Sequence, residues 1–150
     1  MLVDVGEKQM VKRTARAEGW IELPEKIFVL LQDGGIKKGD PFSVAELAGI
    51  MGSKRTSEIV PLCHNIRIDN VSVRCELECD KRAVRVTCEA SAREVTGVEM
   101  EALTGVAVAS LCFYDMCKGV DKGIVIRDIR LLSKTGGKSG GWTAERKFGG

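Results

Sequence analysis

The sequence predicts an α+β domain in which an antiparallel sheet carries its helices on one face. Two observations support this class. Residues 66–78 and 83–92 alternate between apolar and polar side chains on either side of a short polar turn, which is typical of a β-hairpin. Helical patterns precede and follow this hairpin, so the predicted order is β-α-α-β-β-α-β. This order is typical of the ferredoxin-like class.

The elements before the hairpin are predicted to be a short strand and two helices. The first residues are polar and irregular, and residues 17–23 can form the strand. The first helix begins at Pro24, whose missing N–H suits a first helical position, and Gly34 ends it. The second helix begins at Ser43, which is spaced to form a capping box with Glu46.

The hairpin turn is predicted to centre on Lys81 and Arg82. This register places Cys75 opposite Cys88, and we interpret the two as a reduced pair in the core. The longest helix is predicted over residues 98–118, a length of about 31 Å. Much of its surface is small or apolar, so we expect neighbours on both sides. The last predicted strand covers residues 124–132.

The composition is that of one soluble folded domain. The length of 150 residues suits a single domain over 1–150, with flexible ends at 1–10 and 142–150. A net charge of +2 gives no general attraction to nucleic acid or to a membrane, and 5% aromatic residues offer little surface for stacking bases. The sequence shows neither a membrane-spanning apolar run nor a secretory signal, so we expect a cytoplasmic protein.

The cysteines do not predict a metal site. There are six, none of them in a CxxC pattern, and the chain has one histidine, His64. Most of the cysteines alternate with small apolar residues and are typical of core positions. His64 itself, in a loop after Cys63, is the side chain whose ordinary pKa lies nearest neutrality. It can bind substrate or move protons, or it can be a hydrogen-bonded surface histidine.

The long helix carries acidic residues near both ends. Glu99 and Glu101 suit its first turn through the helix dipole, but they point about 200° apart, so at least one should face a neighbour. Asp115 and Lys118 are spaced to form an ion pair. Such a pair can be a simple surface contact of small value, but apolar flanking residues predict perturbed pKa values, as acid–base catalysts require.

Glu101 and Asp115 lie on one face of this helix to within about 40° but about 21 Å apart. A small substrate cannot reach both on one helix. We therefore hypothesise a site shared between subunits, in which an antiparallel helix from a partner joins the two ends.

A glycine-rich segment at residues 134–141 resembles a phosphate loop but does not match GxxxxGK[ST], because position 132 is Leu. The segment can close over an anionic ligand, or it can be a mobile tail. Each of the other candidate cations can be a simple solvated side chain, but together with the glycine-rich segment they would suit a substrate with several phosphates. They are Arg13, Lys37, Lys38, Lys54 and Arg55.

The chain resembles the MoaC family over about residues 3–141, in four segments that read KRTSEIVPLCH, TGVEMEALTG, YDMCKGVDKG and LLSKTGGKSG. The resemblance implies a ferredoxin-like lyase of molybdenum cofactor biosynthesis. Such an enzyme rearranges 3′,8-cyclised dihydro-GTP, the product of an upstream radical enzyme, into cyclic pyranopterin monophosphate and releases pyrophosphate. The resemblance also implies a homo-hexamer, a trimer of dimers, with active sites between subunits.

By motif, the resemblance implies that Asp115 and Lys118 form a catalytic acid–base pair and that Lys38 is a second catalytic lysine. Two positions differ from the family pattern: Asn65 stands for Pro and Thr135 for Ser, and neither change removes a group that the chemistry needs. We expect no resident cofactor and no metal ligands, although Mg²⁺ can accompany the phosphates. The substrate contacts implied by the resemblance are Leu62, Cys63, His64, Glu99, Met100, Glu101, Lys134 and Arg13.

Other functions remain as alternatives at this point. A ferredoxin-like module that binds a nucleotide without turning it over would leave the Asp115–Lys118 pair unexplained. An RNA-binding domain of the same class needs exposed aromatic residues on its sheet, and the predicted strands offer none.

Overall fold

The computed structural model describes residues 9–137 and 140–145, and it has the predicted α+β architecture. The predicted flexibility of residues 1–8 and 146–150 concerns residues outside this described part. The elements in chain order are β1 (Val11–Glu22), α1 (Glu25–Asp33), α2 (Pro41–Lys54), α3 (Thr56–Ile59), β2 (Asn70–Glu78), a 3₁₀ turn (Cys79–Lys81), β3 (Ala83–Glu94), α4 (Glu99–Cys117), β4 (Val125–Thr135) and β5 (Trp142–Thr143).

The strands form one antiparallel sheet in the order β2-β3-β1-β4-β5. Helices α2 and α4 pack against each other and against this sheet on one face. The predicted fold class is therefore confirmed. The core between the two layers is built from small and branched side chains, among them Ala17, Ile21, Val86, Ala109 and Phe113.

Helix α4 is the central element of the core. It contacts α2 and the strands β1 to β4, and Phe113 packs edge-on against Phe42 of α2 at 5.3 Å between ring centroids. By length and composition alone, α4 is also apolar enough to cross a membrane, which differs from the expectation that the sequence has no such run. Its packing between α2 and the sheet is that of a core helix of a soluble domain.

Glycines allow α2 and α4 to approach closely. A Cβ atom at Gly49 would lie 2.8 Å from the carbonyl oxygen of Gly105, and one at Gly52 would lie 2.6 Å from Val108. Because a backbone oxygen cannot move aside cheaply, a side chain at Gly49 would push the helices apart. The close contact holds the middle of α4 directly against α2.

The first strand is longer than predicted, since it begins at Val11 rather than at residue 17. Ala15 and Ala17 face the helices, whereas Arg16 lies on the opposite, uncovered face of the sheet and is exposed. In a strand with one solvated face, alanine can alternate with charged residues. The weak apolar signal of such alternation is the reason why the start of β1 was interpreted as an irregular segment.

The start of α2 was also predicted wrongly. Its N-cap is Asp40, whose side chain accepts a hydrogen bond from the backbone N–H of Phe42 at 3.0 Å, and Pro41 is the first helical residue. Ser43 donates its hydroxyl to Asp40 at 2.6 Å instead of capping the helix itself. An aspartate followed by proline is the stronger start signal.

The hairpin register differs from the prediction by two residues. Cys75 pairs with Val86, and Cys88 pairs with Val73. The reason is a four-residue connection, residues 79–82, that ends with Arg82 in the left-handed conformation (φ 48°). Both cysteines are nevertheless buried and reduced, as expected.

The last part of the chain forms more structure than predicted. β4 continues to Thr135, and Trp142 and Thr143 pair with Lys134 and Ser133 as the short edge strand β5. Pairing with β4 therefore fixes residues that we expected to belong to a flexible end. This edge holds Lys134 near the start of α4.

Candidate active site

Three predicted catalytic side chains meet at the C-terminal end of α4. Lys118 Nζ lies 2.8 Å from Asp115 Oδ1, and Lys38 Nζ lies 3.3 Å from the main-chain carbonyl oxygen of Asp115. Lys38 reaches this point from the loop between α1 and α2, 77 residues earlier in the chain. We refer to Lys38, Asp115 and Lys118 as the C-terminal cluster.

A tight turn places Lys38. Gly39 adopts φ 127° and donates its backbone N–H to the carbonyl oxygen of Ile36 at 3.1 Å. The N-cap Asp40 then begins α2 directly after this turn. Sequence analysis missed Asp40 as a supporting residue, although an aspartate before proline and an apolar helical pattern could have identified it.

The C-terminal cluster is open to solvent, although apolar residues flank it in the sequence, and the predicted pKa perturbations are present. The side chains of Asp115 and Lys118 are 65% and 46% exposed, and Leu111, one turn earlier, is 62% exposed. The hydrogen bond from Lys118 lowers the pKa of Asp115, and the charges of Lys118 and Lys38 add to this effect. The same hydrogen bond raises the pKa of Lys118.

The direction of the pKa shift of Lys118 decides whether this lysine can act as an acid or as a base. Lysines in such sites can act as bases when burial or neighbouring cations lower their pKa. Here the hydrogen bond to Asp115 has the opposite effect on the pKa, so Lys118 is held as an ammonium group. In this state it can donate a proton, while Asp115 is held as a carboxylate that can accept one.

A second group of predicted residues lies at the N-terminal end of α4. Cys63 donates its thiol to Glu101 Oε2 with 3.8 Å between the atoms, and Lys134 Nζ lies 3.6 Å from Glu99 Oε2. Glu101 is only 3% exposed, which confirms that at least one of the two glutamates faces a neighbour. We refer to Cys63, Glu99, Glu101 and Lys134 as the N-terminal cluster.

Burial dominates the electrostatics of the N-terminal cluster. It raises the pKa of Glu101, and it also raises the pKa of Cys63, to which the nearby charge of Glu101 contributes. A cysteine with a raised pKa stays a thiol and is a poor nucleophile. Cys63 is therefore suited to contact a substrate and to donate a hydrogen bond rather than to attack.

Arg13 links the glycine-rich segment to the connection between β3 and α4. Its Nε donates to the carbonyl oxygen of Glu94 at 2.8 Å, and its Nη2 donates to that of Val95 at 3.1 Å. A Cβ atom at Gly137 would lie 2.6 Å from Arg13 Nη1, so the glycine allows the backbone to pass close to the guanidinium. Arg13 thus supports the connection before α4, a role that its sequence position did not indicate.

The remaining predicted substrate contacts flank the N-terminal cluster in the chain. Leu62 and Met100 are 59% and 39% exposed, and His64 is partly buried. The two clusters lie at opposite ends of α4, about 21 Å apart as judged from the helical rise. The residues of each cluster thus meet within one chain, but the two clusters stay apart. Within the described residues, no group of three or more His, Cys, Asp and Glu side chains could hold a metal ion.

Replacing Glu101 by glutamine is expected to increase stability more and more as the pH rises. In the unfolded chain Glu101 ionises near its ordinary pKa, whereas burial raises its pKa in the folded protein. Above the ordinary pKa the fold must therefore either bury the charge or retain the proton, and both cost stability. The amide avoids this cost, so its advantage is absent in acid, grows with pH and levels off above the raised pKa.

Urea unfolding of wild type and Glu101→Gln at a series of pH values measures this difference. Glu25→Gln is the matched control, because Glu25 is an exposed carboxylate on α1. A stability difference between Glu101→Gln and wild type that does not change with pH would contradict the assigned cost of burial.

The fold and the two clusters define a ferredoxin-like domain in which lysine and carboxylate side chains come together at both ends of one helix. A family model described as the MoaC family matches residues 2–137. A cyclic pyranopterin monophosphate synthase from Rhodospirillum rubrum is 52% identical over 144 residues, covering 96% of this chain and 87% of the relative. One of the same name from Peptoclostridium acidaminophilum is 49% identical and covers 96% and 90%. The chain belongs to the MoaC family.

The same domain also occurs within longer proteins. A molybdenum cofactor biosynthesis bifunctional protein from Synechococcus elongatus is 46% identical over 141 residues, which cover 94% of this chain and 44% of the relative. The region similar to this chain is therefore less than half of that protein.

Proposed function

We propose that the chain is a cyclic pyranopterin monophosphate synthase. It would convert 3′,8-cyclo-7,8-dihydro-GTP, supplied by an upstream radical enzyme, into cyclic pyranopterin monophosphate and pyrophosphate in molybdenum cofactor biosynthesis. The observation that carries the proposal is the meeting of Lys38, Asp115 and Lys118 at one end of α4 in a MoaC-family fold. The names of relatives that match nearly the whole chain support it.

The C-terminal cluster supplies the proton transfers in this proposal. Opening the purine-derived ring and closing the pyrazine ring require protons to move among several nitrogen and oxygen atoms. Lys118, held as an ammonium by Asp115, donates a proton, and the Asp115 carboxylate accepts one. Lys38 adds a second positive charge beside them and stabilises developing negative charge.

The phosphates lie at the N-terminal cluster in this proposal. A sugar hydroxyl attacks the α-phosphate, the cyclic phosphate forms and pyrophosphate leaves. Lys134, Arg13 and the backbone of the glycine-rich segment lie close together there and can stabilise the leaving charge. Lys134 would exchange its contact with Glu99 for the phosphates, and Mg²⁺ would arrive with the substrate rather than as a resident cofactor.

The site is complete only when a second subunit is present in this proposal. A small substrate cannot extend over the length of α4 that separates the clusters. An antiparallel arrangement about a two-fold axis would bring the C-terminal cluster of one subunit to the N-terminal cluster of its partner. Three such dimers would form the homo-hexamer that the family resemblance implies.

Exposed apolar residues on the helical layer support this assembly. Leu47 and Met51 on α2 are 59% and 50% exposed, and Leu111 on α4 is 62% exposed. Leu111 precedes Asp115 by one helical turn, so both lie on the same face of α4. A partner that covers this face would also exclude water from the C-terminal cluster.

Nucleic acid is not a partner in this proposal, and the cytoplasm is the proposed location. Trp20, on the sheet face away from the helices, is 3% exposed and lies beneath Lys81 at 4.8 Å. Trp20 therefore cannot stack on a base, and Trp142, 47% exposed on the edge strand β5, offers a single ring rather than the set of aromatic residues with which RNA-binding sheets stack bases. The relatives named as synthases act on a small molecule, which requires neither a membrane nor a nucleic acid.

Incubating the purified protein with 3′,8-cyclo-7,8-dihydro-GTP tests the function. Pyrophosphate release and the fluorescence of the oxidised pterin are followed together for wild type, Lys118→Ala and the control Lys26→Ala, which removes an exposed lysine of α1. We expect equal turnover by wild type and Lys26→Ala and none by Lys118→Ala. Tight binding without pyrophosphate release would instead indicate a nucleotide-binding module.

A further inference from the structure

The segment that carries Lys118 is held at both ends by a single residue, Tyr114. The backbone carbonyl oxygen of Tyr114 accepts a hydrogen bond from the N–H of Lys118 at 2.8 Å. Its phenolic hydroxyl donates to the carbonyl oxygen of Lys122 at 3.0 Å. The segment from Lys118 to Lys122 is thereby closed into a loop attached to the last turn of α4.

Tyr114 is well placed to hold this loop rigidly. Its ring packs against the hydrophobic core, which limits the positions open to the hydroxyl, while the hydrogen bond to Lys122 itself lies at the surface. Inside the loop, one further backbone hydrogen bond joins Val120 to Cys117 at 3.0 Å. By contrast, the Lys118 side chain is 46% exposed, and the contact holding its ammonium group is the ion pair with Asp115.

We propose that Tyr114 is a positioning residue for the reaction, whose hydroxyl keeps Lys118 over Asp115 by closing the segment that follows α4. This proposal rests on the proposed function for its kinetic consequence. An exposed ion pair of a flexible lysine is weak because of the entropy lost when the side chain is held in one geometry. Fixing the backbone that carries Lys118 reduces this loss and keeps the donor in the geometry for transfer.

Tyr114→Phe tests the proposal, because it removes the hydroxyl and retains the ring in the core. The matched control is Ser110→Ala, one turn earlier on α4. The Ser110 hydroxyl, like that of Tyr114, donates a hydrogen bond to a backbone carbonyl oxygen. Its acceptor is Val106 in the same helix, at 2.8 Å. Both variants lose one hydroxyl from α4, and only one of them frees the loop.

Two measurements are made on each full-length variant. Steady-state kinetics should show kcat reduced about tenfold in Tyr114→Phe, as expected for the loss of one positioning hydrogen bond, with KM unchanged. An NMR titration of the Asp115 carboxyl should show its pKa moving up toward the ordinary value, because the hydrogen bond from Lys118 is what mainly lowers it. Ser110→Ala should match wild type in both.

The titration decides the structural part independently of turnover. An unchanged Asp115 pKa in Tyr114→Phe would overturn the proposal, and so would a lower kcat of the same size in Ser110→Ala. A shifted Asp115 pKa with an unchanged kcat would also overturn it, since positioning would then have no consequence. If the wild type itself released no pyrophosphate, the proposed function would fail, while the titration would still report whether Tyr114 holds the ion pair.

Discussion

Asp115→Asn is expected to lower kcat by about 10²–10⁴-fold, the effect that removal of a general acid–base group produces. The fold and the assembly should remain intact. The amide has the shape of the carboxylate but can neither accept the proton nor fix Lys118 as an ammonium. Asp115 is 65% exposed and outside the core, so its replacement has little reason to affect folding. Pyrophosphate release measured at saturating substrate gives kcat directly.

Asp128→Asn is the matched control for this prediction. Asp128 also pairs with a basic side chain, that of Arg127, but it lies on β4 at a position with φ 54°, which asparagine tolerates. Its substitution should leave kcat unchanged. Full activity of Asp115→Asn, or an equal loss in both variants, would remove Asp115 from the proposed mechanism.

The case of Lys38 shows where prediction from sequence ends. Lys37 and Lys38 are adjacent in the sequence, and nothing local distinguishes them. The turn that ends at Gly39 and the cap at Asp40 bring Lys38, from a distant part of the chain, onto the carbonyl of Asp115. By contrast, the Asp115–Lys118 pair was predictable, because both residues are on one helix at a fixed spacing.

The hairpin illustrates a second limit. Burial alternates with a period of two along a strand, so a register shift of two residues keeps every side chain on the same face. The predicted pairing of Cys75 with Cys88 and the observed pairing of Cys75 with Val86 therefore give the same apolar pattern. The length of the connection selects the register, and its left-handed residue Arg82 was not recognisable from the alternation.

The exposure of the C-terminal cluster has a different origin. The apolar residues around Asp115 led us to expect perturbed pKa values, and these are present although the single chain leaves the pair open to solvent. Leu111, which is 62% exposed on the same helical face, suggests the reason. In the proposed assembly a second subunit would cover this face, so neither the sequence pattern nor one folded chain would display the finished site.

Mixing two inactive variants is expected to restore activity if the site is shared between subunits. Lys118→Ala disables the C-terminal cluster and Lys134→Ala disables the N-terminal cluster, so each homo-oligomer has a defect in every site. In a dimer that contains one subunit of each kind, one site receives both defects and the other receives none. Random assortment therefore restores about a quarter of wild-type activity, because half of the dimers are mixed and half of their sites are intact.

The control mixture combines Lys118→Ala with Asp115→Asn, whose defects lie in the same C-terminal cluster. Every site in such a mixed dimer still receives one defective C-terminal cluster, so no activity should return. The variants are unfolded together in equal amounts and refolded, and pyrophosphate release is measured on the whole refolded mixture. If each chain instead held a complete site, neither mixture would recover activity. The substrate would then have to extend within one subunit over the separation of about 21 Å between the clusters, estimated from the helical rise of about 1.5 Å per residue along α4. Recovery in the first mixture alone requires that two subunits supply the two clusters of one site.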